Sequence, residues 1–227
     1  MRYGLAEISG SPAPEPVLTL AEAKTHLRVD ITADDTLIQA LILAAARHAE
    51  QYARRVFVSR QFVMTLEDFP RATWLDGTAA QDGDVWPPRF GCLSRSDRFP
   101  DAIVLPLAPL VSVDSIQYFS TTLTGSPESP VLQTINDAQA DTITQPPRIL
   151  PRYGACWPDV ARMPQAVTVT FTAGYGTPSD VPEDIKAAVK LILGSLYEHR
   201  EDDAPMPVVS IPRGAASLLS PYRVFPL

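Results

Sequence analysis

TADDTLIQALILAAARHAEQYARRV, residues 32–56, decides how this chain is organised. Ile38, Leu41, Ile42, Ala45, Ala49, Tyr52 and Val56 recur at spacings of three and four, which predicts an amphipathic helix. Thr32-Ala-Asp-Asp35 reads as its start, with both aspartates assigned to helix capping. Leu37, Leu43, Ala44 and Ala46 widen the apolar stripe beyond one face, so the helix is expected to meet a second partner, either another helix or a neighbouring subunit. Arg47, His48, Glu50, Gln51, Arg54 and Arg55 crowd its second half, where cations suit the negative C-terminal end.

Upstream, Thr19-Leu-Ala-Glu22 is a capping-box pattern that opens a short helix to about Arg28, with Leu20, Ala23 and Leu27 on its buried side. Residues 1–17 read as an extended arm, because the prolines of SGSPAPEPV (9–17) leave no apolar period. Near the other end, Pro182 fits the first position of a last helix, and Glu183 and Asp184 suit its positive N-terminal end. Ile185, Ala188, Val189, Ile192, Leu196 and Tyr197 follow at helical spacing until Pro205 and Pro207 forbid continuation. Residues 18–58 and 178–204 are thus expected to make one helical domain. The tail 205–227 alternates proline with apolar residues; it is predicted to be extended, too broken for a helix, and docked on something.

Between these segments the period changes to two. Gln61 to Phe69, Ala102 to Leu107, Val113 to Phe119, Val131 to Ile135 and Ala166 to Ala173 are β-branched runs bounded by turn residues. In Ala166 to Ala173, Val167, Val169 and Phe171 face one way and the threonines the other, as in a half-buried antiparallel strand. The expected fold class is therefore α+β, a helical layer with an inserted antiparallel β-rich region (59–177) and extended termini. Residues 70–101 form a long irregular stretch with no clear period, the kind of loop that is usually functional.

The 23 prolines are about twice the usual share of roughly 5%, which fits many short, rigidly turned segments. A net charge of −7, with Lys and Arg scattered, disfavours tight wrapping of nucleic acid, which needs a basic footprint. Cys92 and Cys156 lie far apart without a CxxC pairing and read as two ordinary thiols in a reducing cytoplasm. No signal peptide is read at the N-terminus, and no run approaches the ~20 apolar residues of a spanning helix.

Catalysis has no visible apparatus, and neither cofactor nor metal is expected. His26, His48 and His199 fall on or at the ends of helices among polar groups, which favours solvated or interhelical roles. Asp34-Asp35 lacks further ligands at the spacing of a calcium loop. Gly174-Tyr-Gly176 lacks the spacing of a phosphate cradle and reads as a turn from strand to helix. The serines of Ser9-Gly-Ser11 and Gly125-Ser126 show no nucleophile-elbow pattern.

Taken in order, several segments resemble the head-tail connector, or adaptor, family of long-tailed phages and gene transfer agents. They are Leu18 to Arg28; Asp34 to Ile42 with Ala45, Ala46, Glu50 and Arg55; Leu105 to Val113 running into Ile116 and Tyr118; Ala166 to Gly176; Val181 to Ile185; Leu196 to Glu201; and Leu218 to Arg223. The likeness spans nearly the whole chain, except 70–101, which is longer than in such proteins, and 120–148, which has no clear register. It implies a ring, commonly of twelve copies, seated below the capsid portal protein, presenting a surface to a tail stopper or terminator protein and passing DNA without sequence-specific binding. The place implied is the head-tail junction of a virion made in the bacterial cytoplasm. In that family the C-terminal segment engages the portal, which makes Leu218, Leu219, Tyr222, Arg223 and Phe225 the candidate portal contacts. Deleting 208–227 is accordingly expected to leave the domain folded while abolishing attachment. An acidic ring would also suit a DNA conduit, since a basic lumen would hold the phosphate backbone.

Two other readings stay open at this stage. One is a tail-completion or stopper ring, contacting the tail tube rather than the portal. The other is a β-rich carbohydrate- or ligand-binding module in which Trp74, Trp86 and Trp157 stack on sugar rings.

Overall fold

The computed structural model describes residues 3–8, 15–70, 101–124, 129–199 and 211–224. The chain divides into two compact units: Met1–Ile8, Gln61–Leu105 and Ser112–Thr172 form one, and Ser9–Arg60, Pro106–Val111 and Ala173–Leu227 the other.

The second unit is helical. It holds α1 (Leu20–Leu27), α2 (Asp35–Ala53), α3 (Glu183–Glu198) and α4 (Arg213–Leu219). The capping box expected at Thr19 is present: Glu22 N–H donates to Thr19 Oγ1 at 3.3 Å, and Thr19 N–H donates to the Glu22 carboxylate at 2.9 Å. Ile38, Ile42, Ala45 and Ala49 of α2 and Ile185, Ala188, Val189, Ile192 and Leu193 of α3 are buried together with Ala23 of α1. Small residues on α2 let the helices approach closely, and the larger aliphatics of α3 fill the space between them. Contrary to the reading of both aspartates as caps, α2 has no side-chain cap hydrogen bond from its N-cap residue Asp34. Asp35 instead pairs with Lys24 at 2.7 Å, tying α2 to α1, and Asp34 accepts from the Tyr197 hydroxyl at 2.7 Å, tying α2 to α3. Leu37, Leu43 and Ala44, read as a second apolar face, are exposed in the single chain, whereas Ala46 joins the core.

The C-terminal segment departs from its expected extended form. Residues 213–219 are helical, and a 3₁₀ turn, Ser220–Tyr222, follows. Pro212 precedes the first helical residue and Pro221 lies past the last, so neither proline interrupts α4. Ala215 and Leu219 are fully buried in the helical core.

The first unit carries a five-stranded sheet made of β1 (Tyr3–Glu7), β2 (Arg60–Leu66), β4 (Leu110–Thr124), β5 (Ser129–Ile135) and β8 (Val167–Ala173), in the order β1-β2-β8-β4-β5. A second sheet has the order β3-β7-β6, from Ile103–Val104, Arg148–Leu150 and Gln139–Asp141. Strict alternation of burial along β2 and β8 matches the period-two reading of their sequences. Phe62 stacks on Phe171 with centroids 5.8 Å apart. Residues 9–14 of the expected arm, 71–100 of the irregular stretch, 200–204 of the expected helical domain and 205–210 of the expected tail lie outside the described residues. Cys156 is disulfide-bonded, which corrects the reading of two free thiols; Cys92 lies outside the described residues.

Candidate partner interface

The richest polar site of the helical unit forms where α2 ends. Arg54 takes a left-handed conformation (φ 53°) as the helix terminates, and the following residue, Arg55, is turned inward and only 6% exposed. Its guanidinium donates through Nε to the Tyr222 carbonyl and through Nη1 to the Tyr175 hydroxyl at 3.0 Å, while lying 5.9 Å from the centre of the Tyr175 ring. A planar fork of donors suits this double duty, which a lysine could not match. Val224 N–H then donates at 3.0 Å to the carbonyl of Ala53, one of the groups a helix end leaves without an internal partner. The Tyr222 hydroxyl donates to Asp184 at 3.2 Å, and the Arg223 guanidinium lies 5.1 Å from the Tyr52 ring centre. Residues 220–224 are thus strapped across the end of α2 and the start of α3.

Burial raises the Tyr175 hydroxyl above its ordinary pKa, although the Arg55 charge opposes the shift. Tyr222 is also raised, first by burial and then by its hydrogen bond to the Asp184 carboxylate. Both hydroxyls are therefore held neutral, as donors or acceptors in the strap rather than as acids.

Of the residues expected to touch a portal, Leu219 is buried in its own chain, Leu218 packs half-buried against the same core, Tyr222 is half-buried and Arg223 is exposed. Phe225 lies outside the described residues. Arg55 was read only as a cation near a helix end. Nothing in the doublet Arg54-Arg55 distinguishes the buried arginine from the exposed one, so the sequence held no signal for it.

A second buried pair stands beside the strap's helix. Glu50 accepts from Arg60 Nη2 with both oxygens at 2.6 Å, and from Phe57 N–H at 2.8 Å. The carboxylate thereby holds the turn that leads from α2 into the chain beyond it.

The Gly174-Tyr-Gly176 turn is closed by its own hydrogen bonds. Gly174 N–H donates to the Pro109 carbonyl, Tyr175 N–H to that of Phe57, and Ser59 N–H to that of Gly176, at 3.0, 3.0 and 2.8 Å. Backbone donors already used in this way cannot cradle a phosphate, so the reading as a structural turn is the right one.

Among the described residues no group of three or more His, Cys, Asp or Glu comes together. His26 and His199 are exposed, and the His199 ring sits 3.0 Å from the Ser195 carbonyl at the end of α3. Trp157, offered to a sugar by the carbohydrate reading, is 8% exposed and stacked on Phe69 at 4.7 Å and 5°. Its indole N–H donates to the Asp101 carbonyl. With a ring face covered and its donor used, it is a core residue; Trp74 and Trp86 lie outside the described residues.

Residues 17–77, which include α1, α2 and β2, match the family of phage gp6-like head-tail connector proteins. That stretch, about a quarter of the chain, is similar to the head-tail connector model. The chain also resembles solved structures of gene transfer agent particles. A chain from the neck of an empty gene transfer agent particle, with C6 symmetry, superposes with a TM-score of 0.65 at 23% identity, covering 99% of this chain and 97% of that one. A chain from the native gene transfer agent virion gives 0.64 at 24%, covering 98% and 96%. A third, from the neck of the native particle with C12 symmetry, gives 0.60 at 24%, covering 99% and 97%. At such identity the likeness establishes a shared fold, over nearly the full length of both chains. No curated protein sequence matches.

Proposed function

We propose that this chain is a structural, non-enzymatic head-tail connector subunit, forming a ring between the capsid portal and the tail through which DNA passes. The observation that carries the reading is the pairing of a connector-family match at 17–77 with a fold shared, end to end, with chains of gene transfer agent necks. The C12 symmetry of one such neck supports a ring of twelve copies. The ring meets the portal on one side and a tail stopper or terminator protein on the other, and its place is the head-tail junction. A net charge of −7 lets DNA slide past without being gripped.

Among the candidate portal contacts, Arg223 and Tyr222 are the accessible anchors, and both are residue types enriched in interface hot spots. Leu218 and Leu219 act from behind, holding the strap in place. The test is cosedimentation of the full chain with portal-bearing capsids that lack their connector, followed by joining of those capsids to tails. Wild-type protein is expected to bind and to permit joining, while Arg223→Glu loses at least tenfold in binding with its circular dichroism unchanged. Capsids that join tails equally well without the protein refute the function; an Arg223→Glu chain that binds normally refutes the contact.

A further inference from the structure

The five-stranded sheet ends in β1 on one side and β5 on the other, and no described strand pairs with the outer edge of either. The ladder shows which backbone groups point outward. Ile8 N–H donates to the Gln61 carbonyl at 3.1 Å. Carried along the register of β1 and β2, alternation places Gly4 and Ala6 in the bonded pairs and turns the N–H and C=O of Tyr3 and Leu5 to the open edge. At the other end, Phe119 N–H donates to the Ala166 carbonyl, and the Phe119 carbonyl accepts from Ala161 N–H. Phe119 is therefore turned away from β5. Leu132, its partner in register, and Thr134 direct their own backbone groups outward.

The side chains carry the same message. Tyr3 and Leu5 stand opposite Leu66 and Met64, on the face of the sheet that is buried at β2, yet they are 52% and 40% exposed. On β5 the positions on that buried face are Gln133 and Ile135, opposite the buried Tyr118 and Ile116. β5 contains no charged residue and β1 only Glu7 at its end, in a chain where 20% of residues are charged. Charged side chains, prolines and bulges are the usual guards of an open edge; β1 has only Glu7 at its end, and β5 only Pro130 and a register shift against β4 at its start.

We propose that β1 of one copy adds to β5 of the next, so that the sheets of neighbouring subunits run on into one another. The inference rests on the ring reading and supplies its contact. The two edges are different surfaces at opposite ends of one sheet, so each copy offers one of each, and a contact of this head-to-tail kind yields a ring where the rotation between copies closes and a filament where it does not. β1 carries one charge, Glu7 at its end, and β5 carries none, so the two edges do not repel one another, and Tyr3 and Leu5 gain cover from Ile135 of the adjoining strand.

Leu5→Pro and Thr134→Pro each remove one outward N–H without touching the subunit's own ladder, a position where an edge strand tolerates proline. Should either alter the circular dichroism, Leu5→Lys and Thr134→Lys replace them. The mass of the full chain is read by light scattering across a concentration series. Wild-type protein is expected to assemble beyond a dimer and each variant to stay monomeric. An equimolar mixture of the two variants should form a dimer and stop there, because that pair retains one intact β1 and one intact β5. Variants that assemble like the wild type, a mixture that stays monomeric, or a wild type that never associates would each overturn the proposal. The connector function is judged apart, by binding to portal-bearing capsids, and survives any of those results.

Discussion

Gly174 is a position that no side chain can occupy. Its φ is +140°, and a Cβ built there would lie 2.4 Å from the Ser59 Cα and 2.6 Å from its nitrogen, both backbone atoms. Neither can move aside without breaking the hydrogen bonds that stitch 57–59, 109 and 174–176 together. Gly174→Ala is expected to cost about 3 kcal/mol by combining backbone strain with overpacking, read as a lower urea midpoint at unchanged slope. Tyr175, the next residue, gives the chain a pH dependence. Its folded pKa is raised above the ordinary 10.0 by burial, so its contribution is fully present below pH 10 and is lost as pH rises through the folded value. Tyr222 shifts in the same direction and adds to the effect. The melting temperature should fall as pH rises above 10.0, and Tyr175→Phe should flatten that fall; an unchanged profile in the variant would remove Tyr175 as its cause.

α4 shows how an element can hide in a proline-rich tail. Prolines at 207, 212 and 221 made residues 205–227 read as extended, yet the seven residues Arg213–Leu219 lie between two of them and complete a short helix. So short a helix has little stability of its own and exists because Ala215 and Leu219 are buried by the rest of the helical unit. Leu219→Ala should therefore cost about 3 kcal/mol, checked by urea denaturation. For the same reason, deleting 208–227 is expected to destabilise the helical unit itself, and loss of portal binding in such a truncation would not isolate a contact. A point change at the exposed Arg223 does isolate it. α2 gives the contrary lesson: its apolar period was plain, but which of its apolar positions face a partner was not, since Ala46 turned inward while Leu37, Leu43 and Ala44 remain at the surface.

At the scale of the whole molecule, the sequence alone determined the α+β class, the positions of α1, α2 and α3, the strands β2, β4, β5 and β8, and the family resemblance. Each of these rests on local information: a cap within four residues, an apolar period over a dozen, or an alternation within a strand. Tertiary structure decided the rest, because the deciding groups lie far apart in the chain. Arg55 reaches Tyr175 and Tyr222, and Asp34 reaches Tyr197 rather than capping its own helix. β1 emerged within a segment read as an arm because β2, more than fifty residues away, supplies its ladder. β6 and β7 lay in the stretch whose register could not be read, and they are three-residue strands too short to show a period. An arginine near a helix end carries no mark of burial, and a strand of five residues carries no mark of its partner. Both become legible only when folding brings distant backbone and side-chain groups within hydrogen-bonding reach.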